Sequence, residues 1–294
     1  MKKDILPMSL LAPILAQNRT KGIAQHLKAQ LESLKTEYHS LPPGQLYIKK
    51  NRKWLVYYVK HNGQLRGIGK NTTLIYQLAR RQYLALLIHF IGELLDEINY
   101  DDSDHTISRF LPRFDELFQR FEKGLLDIDR ITMTPNQYIW NSDRSSKKNT
   151  RRDDLIYPTN GRIYMRTKSE QMLGNLLEKL HIPYRYEFPL YINGITYHPD
   201  FIIMLPDDQL IIIEHAGRLD LGEYNDALVE RLKAYNSIGL LIGRDVFFTF
   251  ERDTRDETIA KEVLFQAFSA TPSNNRYLRR AANQVGCHFH KDNS

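Results

Sequence analysis

The chain has 294 residues, 42% hydrophobic and 26% charged, with a formal net charge of +6. That is the mix of a soluble globular protein with enough apolar material for one large domain or two ordinary ones. The single cysteine, Cys287, excludes an internal disulfide and any cysteine-based zinc site, so a reducing, cytoplasmic setting is expected.

Near the start, Lys2-Lys3 followed by ILPMSLLAPILA has the outline of a secretory leader, but Asp4, Pro7 and Pro13 interrupt it. No charge-free apolar stretch is long enough to span a bilayer, so no membrane partner is expected. Ile23, Leu27, Leu31, Leu34 and Tyr38 predict a helix over 18–39, stopped by Leu41-Pro42-Pro43-Gly44. QLYIKK (45–50), KWLVYYVKH (53–61) and QLRGIG (64–69) read as a β-meander, with His61-Asn62-Gly63-Gln64 as a hairpin turn. Residues 74–98 predict a helix, and 105–127 a second one disturbed at Pro112. Thr134-Pro135 fits an N-cap and first position of a short helix through Trp140, after which NSDRSSKKNTRRDD (141–154) reads as a linker or mobile loop.

Charge is uneven along this order. Between Tyr38 and Gly92 there is no Asp or Glu, yet there are nine cations: Lys49, Lys50, Arg52, Lys53, Lys60, Arg66, Lys70, Arg80 and Arg81. Removing these nine from the chain's 41 Lys and Arg leaves 32 against 35 Asp and Glu, so this segment alone supplies the positive balance. Such a localised field favours a polyanion, and the interleaved Tyr47, Trp54, Tyr57 and Tyr58 offer rings to bases. The competing reading is a small aromatic core with a solvated cationic face.

The second half predicts a helix over RTKSEQMLGNLLEKLH (166–181), strands over YRYEFPLYI (184–192), ITYHPDFIIML (195–205) and QLIIIEHAG (209–217), a helix over 222–239 and a strand over 246–251. Asn193-Gly194 and Pro206-Asp207-Asp208-Gln209 are turn signals. The fold class expected is α/β (α+β), a mixed sheet flanked by helices. Glu170 shares the inward face of Leu173, Leu177 and Leu180, while Asp200 and Glu214 flank the apolar runs FIIML and LIII on what should be neighbouring strands. Three carboxylates then converge on one sheet edge. Burying them is costly unless a cation neutralises them, and a hard divalent ion, Mg²⁺ or Mn²⁺, suits such oxygen ligands. In the following helix Tyr224, Leu228, Arg231 and Tyr235 share one stripe, whereas Lys233 points away.

The order helix-Glu, Pro-Asp, then Glu at the end of an apolar strand resembles the PD-(D/E)xK, or restriction-endonuclease-like, nuclease superfamily. More narrowly, RTKSEQMLGNLLEKLHIPYRYEFPL, YHPDF, IIIEHAGRLD, EYNDALVERLKAY and TFE are similar to a subfamily of bacterial, mostly Firmicute, proteins; the likeness spans about residues 160–252. The resemblance implies a restriction-endonuclease-like core that hydrolyses DNA with Mg²⁺ or Mn²⁺. Asp200, Glu214 and the backbone carbonyl of His215 would be metal ligands, and Glu170 would bind the ion directly or through water. The superfamily's lysine is expected two residues after the glutamate, where this chain has Ala216; the subfamily's substitute from the next helix falls on Arg231. Arginine can clamp a phosphate but cannot act as a base. Lys168, in the R-x-K-S-E pattern, is a further candidate for phosphate contact or simply a solvated first-turn lysine.

Other candidates are weaker: His198 beside Asp200 could orient water or have a structural role, Pro206-Asp207-Asp208 is turn chemistry, and Cys287, His288 and His290 lack a fourth metal ligand. Arg276, Arg279 and Arg280 read as a basic helix. The domains expected are an N-terminal helix (1–40), a nucleic-acid-binding meander with helices (41–140), a linker (141–156), the nuclease core (157–270) and a basic tail (271–294). The expected function is a metal-dependent DNA endonuclease with Glu170, Asp200, Glu214 and Arg231 as its catalytic set, held on DNA by Lys49, Lys50, Arg52, Lys53, Lys60, Arg66 and Lys168. RNA is an alternative substrate, a non-catalytic DNA-binding protein the alternative class, and a homodimer one possible assembly.

Overall fold

In the computed structural model of the chain, Asn62-Gly63 (φ 49° and 77°) and Asn193-Gly194 (φ 51° and 86°) adopt the left-handed backbone that a two-residue hairpin turn requires. Each closes the hairpin its sequence predicts, pairing His61 with Gln64 and Ile192 with Ile195. The structure describes residues 21–97, 103–142, 154–205, 208–217 and 222–269. The readings made for residues 1–20, for most of the linker, for Pro206-Asp207 and for the tail carrying Arg276, Arg279, Arg280, Cys287, His288 and His290 lie outside them. The chain divides into two compact units, with Thr134 ending the first and Pro135 opening the second.

In the first unit α1 (Lys21–Ser40) precedes an antiparallel sheet of β1 (Gln45–Asn51), β2 (Trp54–His61) and β3 (Gln64–Gly67), in that spatial order. Helices α2 (Thr72–Glu97), α3 (Ser103–Lys123) and α4 (Ile128–Thr132) follow. Tyr83, Phe90, Phe110, Phe114, Phe118 and Phe121 are fully buried, and the rings of Phe114 and Phe118, one helical turn apart, stack at 6.2 Å. α3 carries Pro112 inside it and stops at Lys123, short of the 127 expected; burial of this aromatic face outweighs the ladder bond that Pro112 cannot make.

Two of the nine cations are not part of an open field. Arg80 is buried, with its fork on both oxygens of Glu37 at 2.8 Å and Nη1 donating to the carbonyls of Ile131 and Thr132. Arg81 donates to the carbonyls of Tyr38 and Leu41 and lies 3.9 Å from the Tyr38 ring centre. Both tie α1 and α2 together. Lys49, Lys50, Arg52, Lys53, Lys60 and Arg66 are exposed, with Arg52 (φ 55°) in the β1–β2 turn.

The second unit begins with α5 (Pro135–Asn141), which the sequence grouped with the preceding helices; here Trp140 joins the core of this unit and Gln137 donates to the carbonyl of Met204 at 2.9 Å. Next come the short pair β4 (Tyr157–Pro158) and β5 (Tyr164–Met165), then α6 (Lys168–Lys179), β6 (Tyr184–Tyr186), β7 (Leu190–Ile192), β8 (Ile195–Tyr197), β9 (Phe201–Met204), β10 (Leu210–Ala216), α7 (Gly222–Ser237), β11 (Val246–Phe250) and α8 (Glu257–Ser269). The main sheet has the order β11-β10-β9-β6, with β11 parallel to β10 and the other pairs antiparallel. The protein is thus a mixed α/β, α+β chain.

The two long strands expected over 184–192 and 195–205 each break in two, and β7–β8 forms a ribbon of its own. Pro189 and Pro199 supply no N–H to a ladder, and Glu187 turns the chain at φ 46°. On one face of the main sheet Ile202, Met204, Leu210, Ile212 and Val246 bury against Trp140, Tyr235 and Leu240. Phe201, Ile203, Ile211 and Ile213 alternate to the other face, where Tyr186 reaches α6.

The ion-paired fork of Arg80 gives a direct stability test. Arg80→Ala strands Glu37 and two carbonyls and should cost about 3 kcal/mol in denaturant unfolding, whereas Arg52→Ala should stay within about 0.5 kcal/mol of wild type.

Candidate metal and phosphate site

The site forms where three elements of the second unit end together. Thr167 caps α6, accepting from the Glu170 amide at 3.2 Å, while its own amide donates to Glu170 Oε2 at 2.8 Å. This capping box fixes the Glu170 carboxylate at the helix start, where the helix dipole also favours it. Tyr186 adds a third tie, its hydroxyl donating to Glu170 Oε2 at 3.1 Å and accepting from the Arg166 amide at 3.0 Å. Arg166 is itself anchored on Glu187.

Asp200 and Glu214 face each other across adjacent strands. The ladder pairs Phe201 with Ile213, so the next rung sets Asp200, just before β9, opposite Glu214 in β10. Asp200 Oδ2 accepts from the His215 amide at 2.6 Å. Glu214 is almost wholly buried; its Oε2 accepts from Arg231 Nη1 at 2.5 Å and its Oε1 from the Tyr235 hydroxyl at 2.6 Å. Both partners sit on α7, one helical turn apart. Lys233, on the far side of that helix, is exposed and pairs with Glu230.

The electrostatics follow from this packing. Burial pushes the Asp200 carboxyl well above the usual range, and the negative charges of Glu214 and Glu170 push it further; Arg231 and the His215 amide oppose them. Burial also raises Glu214, against the pull of Arg231 and Tyr235. For Arg231 burial works against the charge, yet Glu214 and Asp200 more than offset it and hold the guanidinium firmly protonated. The Tyr235 and Tyr186 hydroxyls are raised by burial and by the neighbouring carboxylates, so both stay protonated donors. Asp200 therefore senses both other acids, and Arg231 opposes them.

The donor set is all oxygen, which suits a hard divalent cation, but it is not a ready-made cage. Among the described residues no group of three or more His, Cys, Asp or Glu is close enough to hold a metal. Asp200 Oδ1 and Glu170 Oε1 are the carboxylate oxygens of the trio with no hydrogen-bond partner among the described residues, while both Glu214 oxygens are engaged by α7. The His215 carbonyl accepts from the Gly217 amide at 3.0 Å. A cation would thus fit against Asp200 with Glu214 beside it, and Glu170 would reach it through water.

The remaining candidates lie elsewhere. Lys168 is exposed in the first turn of α6. His198 Nδ1 is 3.1 Å from the Glu187 carbonyl, a structural tie rather than a water-orienting position. The His215 ring turns to the opposite face, meeting Thr249 Oγ1 at 3.0 Å and Glu251 Oε2 at 3.4 Å, and Ser169 also donates to Glu251. Asp208, of the Pro-Asp-Asp turn, accepts from Asn136. Sequence reasoning passed over two residues that hold the acids in place. Thr167, three before Glu170, is a capping-box spacing in plain view, whereas Tyr186 has no signal beyond alternation along β6. No family model, curated protein or solved structure matches this chain.

A carboxyl whose pKa is raised on folding binds protons more tightly in the folded state. Stability contributed by the Asp200 proton is therefore complete at low pH and is lost as pH climbs from the ordinary aspartate range through the raised folded value. Without divalent metal, Asp200→Asn should melt above wild type at pH 7–8, and thermal melts should show the gap closing towards about pH 4.

Proposed function

We propose that the protein is a metal-dependent nuclease of the restriction-endonuclease-like fold that hydrolyses DNA phosphodiester bonds. The observation that carries this reading is the placement of Asp200 opposite Glu214 on adjacent strands, with Arg231 bonded to Glu214 and the Asp200 carboxyl raised by burial and by the charges of Glu214 and Glu170. Groups so perturbed within one site are a mark of function more often than of stability.

Asp200 and Glu214 would hold Mg²⁺ or Mn²⁺, with the His215 carbonyl as a third oxygen and Glu170 joining through water. Such an ion, when bound, lowers the pKa of a ligated water and shields the phosphate charge. The chain's own groups do the rest. Tyr186 and the Thr167 amide fix Glu170 so that its free oxygen can orient a water, and Tyr235 holds Glu214 in place. Arg231, which donates through Nη1 to Glu214, would offer its remaining N–H groups to the non-bridging oxygens of a bound phosphate. Because arginine stays protonated, it serves as a clamp and not as a base. The exposed cations Lys49, Lys50, Arg52, Lys53, Lys60 and Arg66 of the first unit supply non-specific DNA affinity.

One observation favours a second reading, a non-catalytic DNA-binding protein that retains a nuclease scaffold. Arg231 already occupies Glu214, and Ala216 stands where the superfamily carries its lysine. The two readings part in a cleavage assay. Purified protein incubated with plasmid, single-stranded DNA and RNA should cut DNA in Mg²⁺ or Mn²⁺ and not in EDTA. Asp200→Ala should lower the rate about a hundred- to a thousandfold, the order seen when a key electrostatic group is lost. Absent cleavage would leave only the second reading, and equal cleavage in EDTA would contradict both.

Charge reversal of Lys49, Lys50, Arg52 and Lys53 to Glu tests the binding surface. These side chains are exposed, so the melting temperature should hold while DNA affinity falls and its salt dependence flattens. An unchanged salt slope would remove this surface from the account.

A further inference from the structure

The register of the first unit's sheet sorts its side chains into two faces. Leu46, Ile48 and Tyr57 turn inward: Leu46 is buried, the Tyr57 hydroxyl donates to the Gly124 carbonyl at 2.9 Å, and Ile48 lies so close to Gly124 that an added Cβ there would collide with it. Cross-strand pairs Tyr47–Tyr58, Lys49–Val56 and Asn51–Trp54 therefore lie on the outer face, joined by Lys60 opposite Gln45. This outer face stays exposed or half-buried throughout, and Trp54 is 71% exposed. Cations attend the rings: Lys49 Nζ lies 5.6 Å from the Tyr58 centre and Lys70 Nζ 6.0 Å from that of Trp54.

We propose that this outer face is a stacking platform for single-stranded DNA. The inference deepens the DNA-binding reading and rests on it. A duplex hides the faces of its bases, so the exposed rings of this face gain little from it, whereas unpaired bases can stack on them directly. Trp54 and Tyr58, four residues apart on one strand, are separated by roughly 13 Å, so the platform engages more than one nucleotide. Charge complementarity points the same way: no Asp or Glu occurs between Tyr38 and Gly92, so no carboxylate of this segment repels the phosphates.

The test uses the full chain in EDTA, titrated with oligo-dT, a blunt duplex of equal length and oligo-rU, while tryptophan fluorescence and the anisotropy of labelled strands are followed. The other tryptophan, Trp140, is 2% exposed, so quenching reports on Trp54. Oligo-dT should quench and bind more tightly than the duplex. Trp54→Ala should weaken oligo-dT roughly tenfold or more and the duplex less than about twofold, while Trp54→Phe keeps most of the single-strand affinity. Lys49→Ala and Lys60→Ala should each flatten the single-strand salt slope by about 0.7. Absent quenching, equal losses on both DNA forms with Trp54→Ala, or tighter binding of oligo-rU would overturn the proposal. Trp54-dependent binding without metal-dependent cleavage would keep the platform and remove the nuclease; cleavage without such binding would do the reverse.

Discussion

The second unit gathers three acids whose charges its packing balances only in part. Asp200, Glu214 and Glu170 come from three elements, and Arg231 brings a full positive charge to Asp200 and Glu214. Hydrogen bonds from the His215 amide, Tyr235, Tyr186 and the Thr167 amide fix the carboxylates without balancing them. Burying ionised groups in these positions is costly, since buried ions often fail to recover their desolvation cost. A proton on Asp200 relieves part of this cost, and the divalent cation proposed here would relieve more.

The surrounding architecture serves that cluster. The β9–β10 hairpin sets Asp200 opposite Glu214, the capping box turns Glu170 back onto the start of α6, and the stripe of α7 lays Arg231 and Tyr235 over the strand that carries Glu214. Each device is local and short in sequence. Their conjunction is tertiary, and it depends on buried contacts such as those of Trp140 and Leu240 with the sheet.

Much of this was legible beforehand because the signals were periodic. Leu173, Leu177 and Leu180 fix the inward face of α6 and with it Glu170, and the separation of Arg231 from Lys233 follows from helical geometry alone. The Asn-Gly turns and the antiparallel β9–β10 pair were also readable. What failed was whatever depended on partners distant in sequence. Arg80 and Arg81 belong to a basic run, but Glu37 and the carbonyls of Tyr38 and Leu41 draw them inside. Trp140 looks like the end of the preceding helices until its ring is found in the other core. Pro189 and Pro199 were visible, yet long apolar runs masked their effect on the ladders. The split of Lys49 and Lys50 onto opposite sheet faces needed the register itself.

The most direct measurement is the response of thermal stability to Mn²⁺, because it bears on the missing charge and not on catalysis. A ligand that binds only the folded state raises the melting temperature in proportion to the logarithm of its concentration over Kd. Mn²⁺ at 100 times Kd should stabilise the wild type by about 2.7 kcal/mol, and Asp200→Ala should lose that response while remaining folded. Equal shifts in both proteins, or none in the wild type, would contradict the claim that these carboxylates are built to share a divalent cation.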